Sequence, residues 1–248
     1  MIGSSSFSLT KGSLIPETYR FFAAWDPAES GKQNFSRARD QNLVGARSAS
    51  WLRDVLKVIH SRFELSGRDR PLLDLARQGV PLDVWKPILL WHLVRQDTLL
   101  RAFLTDWLWS HHGAGTLVLR TRDVAEWLTS LDLPYAEVTR LRVASALLRL
   151  GVDFGLLTGT VTRRFAPVHL PEPSLLYLLH AIRDAEGNTT RLLHSPDWRC
   201  FYMAPEDVES AVLRLHQFRR LHYEVAGSVV DLSLPAASAA AWVAASAA

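Results

Sequence analysis

Cysteine is almost absent from this chain of 248 residues, with Cys200 standing alone. One thiol excludes a disulfide within the chain and any zinc site built mainly on thiolates. Long apolar runs are missing too. The longest, around Pro87-Ile88-Leu89-Leu90-Trp91, is broken by His92 and Arg95, far short of the about 20 residues a bilayer demands. Met1 to Gly12 is Ser-rich, without the apolar stretch of a signal peptide. The expectation is a soluble, cytoplasmic protein that contacts no membrane. Catalytic signatures are lacking as well. No P-loop, HExxH, GxSxG or dinucleotide fingerprint occurs. The histidines are scattered, His216 and His222 lack a ligand spacing, and His111-His112 reads as helix-end charge. Glu206-Asp207 reads as helix N-terminal charge, not as a catalytic pair. No enzymatic activity, no cofactor and no metal are expected.

What is present is an ordinary globular composition, 48% hydrophobic and 21% charged. The net charge is only +3, but it is unevenly spread. Between Lys32 and Arg70 stand nine bases, among them Arg53 and Lys57, against four acids. That local excess surpasses the surplus of the whole chain and is the footprint of a polyanionic partner. Arginine dominates the bases, which suits bidentate phosphate or guanine contacts; a GC-rich genome gives the same bias.

Apolar spacing predicts an all-α, mainly helical fold with one or two short β-hairpins. Residues 1–115 read as an N-terminal helical domain. Its helices run over Ser13–Trp25, Ser48–Leu65 with Ser48 as cap, Pro71–Gln78 stopped by Gly79, Pro81–Arg95 and Asp97–Ser110. The nine tryptophans fall mostly at core spacing. Residues 116–170 read as helix, break, helix, basic ribbon, the order of a helix-turn-helix with a wing. Thr121 caps the first of these helices, Gly151 closes the second, and Thr158–Phe165 forms the ribbon. Residues 171–234 repeat the order, ending in a hairpin around Ala226-Gly227-Ser228. Residues 235–248 read as an Ala/Ser tail.

On Glu137–Leu150 the spacing places Val138, Leu141, Ala144 and Leu148 on the apolar side. Arg142 and Arg149 lie two turns apart on another edge, near Ser145. With Arg163-Arg164 in the ribbon, that edge can reach phosphates and base edges; a solvated surface face is the alternative. In the second unit Val208, Ala211, Val212, Leu215 and Phe218 form the apolar stripe, and Arg214 and Gln217 face away from it. Glu206, Asp207 and Glu209 would repel phosphate at the end that enters a groove.

The stretch Ser6-Phe7-Ser8-Leu9-Thr10-Lys11-Gly12-Ser13-Leu14-Ile15-Pro16-Glu17 resembles the N-terminal signature of the BrxA family of BREX phage-defence systems. Asn42-Leu43, Arg47-Ser48, and a long helix with Arg53 and the Arg62-Phe63 ending resemble the next block. The likeness is strongest over residues 6–65 and continues more loosely to about Leu170. It implies a non-enzymatic accessory protein that binds double-stranded DNA through helix-turn-helix elements, with other BREX subunits as further partners. A monomer is expected. The alternative is a helical scaffold whose basic surface binds RNA or acidic proteins.

Overall fold

Capping chemistry sets the helix ends in the first third of the chain. A computed structural model of the protein describes residues 6–226 and 229–246. Short α1 (Ser6–Thr10) leads to α2 (Ile15–Ala23), with Pro16 in its first turn. Ser30 opens α3 (Gly31–Asp40) with a capping box: Ser30 Oγ accepts from the Gln33 N–H, and Gln33 Oε1 accepts from the Ser30 N–H. Ser48 caps α4 (Ala49–Arg62) by accepting from the Trp51 N–H, as the sequence predicts. The next helix, α5 (Arg70–Arg77), stops before Gly79, whose φ of +73° is a left-handed value that suits glycine. Then α6 (Leu82–Gln96) buries residues around most of its circumference, including Trp85, Trp91 and His92. Its successor α7 (Thr98–Ala102) continues through a π-helical stretch, Phe103–Leu108, into α8 (Trp109–Gly113).

After α8 the predicted order of helix, helix and ribbon is present. Leu119 exchanges two backbone hydrogen bonds of 2.9 Å with Arg163. Between those points lie α9 (Thr121–Ser130), α10 (Glu137–Asp153) and β1 (Leu157–Thr158), and β2 (Arg164–Phe165) follows directly. The strands β1 and β2 pair antiparallel, with Leu157 opposite Phe165, so Leu119 adds a third edge to a minimal ladder packed at the end of α10. Gly159 turns this ribbon at φ +97°, where a Cβ would lie 2.2 Å from the Thr162 carbonyl oxygen.

Details differ from the sequence reading. Arg120, not Thr121, is the N-cap residue of α9, its N–H donating to Asp123 Oδ2. Gly151 does not end α10. It lies inside the helix, where a Cβ would come within 2.8 Å of the Leu157 side chain, and Gly155 at φ +76° follows the helix end. The buried face is Val143, Ala144, Leu147, Leu148 and Leu150, whereas Val138 and Leu141 stand exposed. Packing of α10 therefore begins about one and a half turns late.

The second unit comprises α11 (Glu172–Glu186), α12 (Thr189–Leu192), a 3-10 turn at Pro196–Phe201 and α13 (Pro205–Gln217). Strands β3 (His222–Ala226) and β4 (Val229–Ser233) pair antiparallel. The predicted turn residues Gly227 and Ser228 lie outside the described residues. Val208, Val212 and Leu215 are buried as expected, but Phe218, at the end of α13, is 67% exposed. The Ala/Ser tail forms a docked helix, α14 (Ala239–Ser246), against α5 and α11. Ala239 and Val243 are buried there, Gln78 Nε2 donates to the Val243 carbonyl at 3.1 Å, and Asp184 Oδ2 accepts from the Ala239 N–H at 2.8 Å.

Buried apolar side chains from α1 to α14 form one contiguous core, and none of the nine tryptophans is exposed. At its centre lies a polar chain that the sequence did not announce. Asp69 Oδ1 meets His92 Nδ1 at 2.6 Å, and His92 Nε2 meets the Tyr177 hydroxyl at 2.7 Å, all three side chains buried. Arg68 Nη2 and the Glu64 N–H complete the carboxylate's partners at 2.8 and 2.7 Å. Burial alone would raise the Asp69 pKa, but the hydrogen bonds from His92 and Arg68 overcome it and hold the group down at about 2. Burial pushes His92 below its usual 6.5, against the pull of Asp69. Neutral His92 therefore donates from Nδ1 to the carboxylate and accepts at Nε2 from Tyr177.

Both shifts favour the fold at higher pH. As pH falls below 6.5, unfolded chains take up a proton that the buried imidazole refuses. Below 3.8 the carboxylate adds its own loss, complete only near its folded value of about 2. The melting temperature is expected to be flat from about pH 8 to 7 and to decline through pH 6 and below. Asp69→Asn leaves Arg68 without its counter-charge and is expected to cost about 3–5 kcal/mol in urea unfolding. A melting curve indifferent to pH between 7 and 5 contradicts the assignment.

Candidate nucleic-acid interface

Several of the nine bases between Lys32 and Arg70 are engaged within the fold. Arg37 pairs with Glu29 at 2.9 Å, Arg68 with Asp69 at 2.8 Å and Arg70 with Asp74 at 2.9 Å. Arg62 is buried and reaches back across the chain. Its Nε donates to Ser8 Oγ at 3.0 Å, and its two Nη atoms donate to the carbonyls of Ser8, Gly12 and Ser13. Burial pushes its pKa down to about 10, so it remains charged at neutral pH. One guanidinium thus fixes the loop between α1 and α2, and that segment seats against α10, with Ser13 Oγ donating to Asp153 Oδ2 at 2.8 Å. The quoted Ser6–Glu17 and Arg62-Phe63 motifs are therefore two halves of one clamp.

That clamp frames the predicted arginine stripe. Arg142 and Arg149 are exposed on α10, and with Ser145 and Ala146 they line a cleft of about 270 Å³ whose opposite wall is Thr10 and Gly12. Neither arginine forms an ion pair with a carboxylate of the described residues. Arg163 lies close by. Burial lowers its pKa first and the charge of Arg149 lowers it further, so α10 and the ribbon hold like charges near one another. Arg163 Nη1 donates to the Val161 carbonyl at 3.0 Å, which fixes its guanidinium, while Arg164 is exposed opposite Thr158. The structure thus brings Arg142, Arg149 and Arg163 to one region, with Arg164 on the same ribbon.

The remaining candidates are elsewhere. Arg53 and Lys57 line a separate, larger cleft between α3 and α4. Arg214 and Gln217 are exposed on α13, and Arg214 borders a depression shared with His112, Val168 and Tyr202. The acids expected to repel phosphate there are partly occupied: Glu209 accepts from the Tyr223 hydroxyl at 2.8 Å, and Asp207 Oδ2 accepts from the Ala204 N–H. Arg220 pairs with Glu172 at 2.7 Å.

Among the described residues, no three His, Cys, Asp or Glu side chains converge to hold a metal ion, and no helix is long and apolar enough to cross a membrane. Cys200 is buried, and burial pushes its thiol pKa upward.

Sequence reasoning missed the Arg62 clamp, because a basic residue at a helix end gives no sign of the carbonyls it will meet. Arg62→Met is expected to lower stability by about 3 kcal/mol or more, since charged hydrogen bonds to three carbonyls are lost. Amide exchange should accelerate over residues 8–14, with Arg62→Lys intermediate. Exchange unchanged in both variants would show that the loop holds without the guanidinium.

A family model described as BrxA matches residues 5–181, from α1 into α11. The match includes Arg53, Lys57, Arg142, Arg149, Arg163 and Arg164, and it ends before Arg214 and Gln217. No curated protein and no solved structure matches the chain.

Proposed function

We propose that this chain, which belongs to the BrxA family, binds double-stranded DNA as a non-enzymatic accessory component. Family membership gives it a BREX-associated phage-defence role; DNA as the ligand is our reading of the α10 face. The observation that carries it is the set of arginines Arg142, Arg149 and Arg163, held near one another with no carboxylate partner among the described residues. Like charges brought together raise the energy of the folded chain unless an anion joins them. The cleft beside Thr10 and Gly12 gives a phosphate room between the two helical arginines.

Duplex DNA fits this face better than a single strand. An exposed helix edge with an adjacent basic ribbon suits a groove and its flanking backbone. Single strands are gripped by stacking on exposed aromatic rings. The exposed large apolar side chains of α10 and its ribbon are aliphatic: Val138, Leu141 and Val161. We assign α10 and the β1–β2 ribbon the roles of recognition helix and wing of a winged helix-turn-helix. Arginine contacts to phosphate carry no direct base information, so binding is largely sequence-tolerant.

Arg142→Glu with Arg149→Glu is expected to weaken duplex binding at least tenfold, leave the melting temperature within about 2 °C, and flatten the slope of log K against log salt by about two. Arg164→Ala weakens binding evenly across unrelated duplexes. A charge-reversed protein that melts early but binds duplex normally in its folded fraction refutes the assignment of α10.

A further inference from the structure

We propose that the cleft between α3 and α4 docks an acidic amphipathic helix of another protein, on a surface separate from the α10 face. The cleft has a volume of about 930 Å³ and is open along one side. Its floor is apolar, made by Trp25, Phe35, Leu56 and Phe63. Its two rims are basic. Lys32 and Arg39 stand seven residues apart on α3, and Arg53 and Lys57 stand four apart on α4, so each helix presents a positive edge along the opening.

Glu29 and Glu64 are the acids of the lining, and Asp40, outside it, lies 3.8 Å from Arg39 on the exposed rim. Glu29 is held by Arg37 at 2.9 Å, and Glu64 interacts with the charge of Arg68. An apolar trough between two basic edges is the complement of a helix with an apolar stripe flanked by carboxylates. The fourteen residues of α4 give the trough a length of about 20 Å, enough for three to four turns of a docked helix.

A nucleic-acid strand fits the trough poorly. Its aromatic rings engage one another edge to face, with Phe35 against Trp25 at 88° and against Phe21 at 63°. Trp25 and Phe63 are buried, so no flat ring face is offered for base stacking. A rigid convex duplex reaches the rims but leaves the apolar floor uncovered.

The test is selection of random sixteen-residue peptides displayed on phage against the full chain, followed by fluorescence anisotropy of the synthesised winners. The expected winners carry Leu, Phe or Trp at i, i+3 or i+4, and i+7, with Asp or Glu on both flanks. They should lose at least tenfold in affinity for the Arg53→Glu, Lys57→Glu variant. They should also fail to bind Ser36→Trp, which fills the trough without changing charge. If the double reversal unfolds, Ser36→Trp alone decides. A single-stranded or duplex oligonucleotide should not displace the peptides, and the double variant should retain the parent's duplex affinity.

The proposal is overturned by winners without acidic enrichment, by winners that bind both variants as well as the parent, or by their displacement with an oligonucleotide. It is equally overturned if the double variant loses duplex affinity while its melting temperature holds, because Arg53 and Lys57 then serve nucleic acid. The α10 reading is judged on Arg142 and Arg149, so either conclusion can fail without the other.

Discussion

The carboxylate of Asp69 is the constraint on which the rest of the structure hangs. It sits at the start of α5, takes hydrogen bonds from the Glu64 N–H, Arg68 and His92, and through His92 reaches Tyr177 of α11. Three segments far apart in sequence are thereby fixed in relative position by groups that have nowhere else to go. The neighbouring residue on α6 repeats the device in another direction. Trp91 Nε1 donates to Asp197 at 2.7 Å, and Arg101 pairs with the same carboxylate at 2.5 Å. Taking an ion out of water is costly; Asp69 is tolerated because several donors meet it, and Asp197 because Trp91 donates to it and the charge of Arg101 stands beside it. With α6 gripped from both sides, the elements that follow it are held against a rigid spine.

The helices of the first half are legible in the sequence because their signals are local. Ser48 caps, Gly79 stops, and Val55 and Ile59 recur at the helical period and are buried. What is not legible depends on partners distant in the chain. The apolar face of α10 is set by the elements packed on it, α9, α1 and β1; Val143 and Leu147 are buried, whereas Val138 and Leu141 stay exposed. The segment that becomes α3 buries only Asn34 and Ala38, so no apolar period marks it, although its Ser30–Gln33 capping pair is visible in retrospect. The Ala/Ser segment gives no amphipathic pattern either. Its docking rests on Ala239 and Val243, on the Trp242 ring against Tyr177 and His180, and on backbone groups.

The same distinction applies to charge. Counting bases from Lys32 to Arg70 locates a positive region but does not separate arginines that hold the fold from those that face solvent. Arg62 and Arg68 are spent on carbonyls and a carboxylate inside the protein. Arg53 and Lys57 line the α3–α4 cleft instead of joining Arg142 and Arg149. Two separate clefts therefore present positive charge of different character, one over an apolar trough and one beside a helix and ribbon. A net charge of +3 conceals this segregation.

The docking of α14 has a consequence for how the chain is made. The hydrogen bond from Gln78 to Val243 spans 165 residues. Translation at about 5–20 residues per second separates the emergence of its two partners by roughly 8 to 33 s. For that interval the outer face of α5 is without its cover, and nascent chains on one message stand close together with the same face open. A helix made late thus closes a surface formed much earlier.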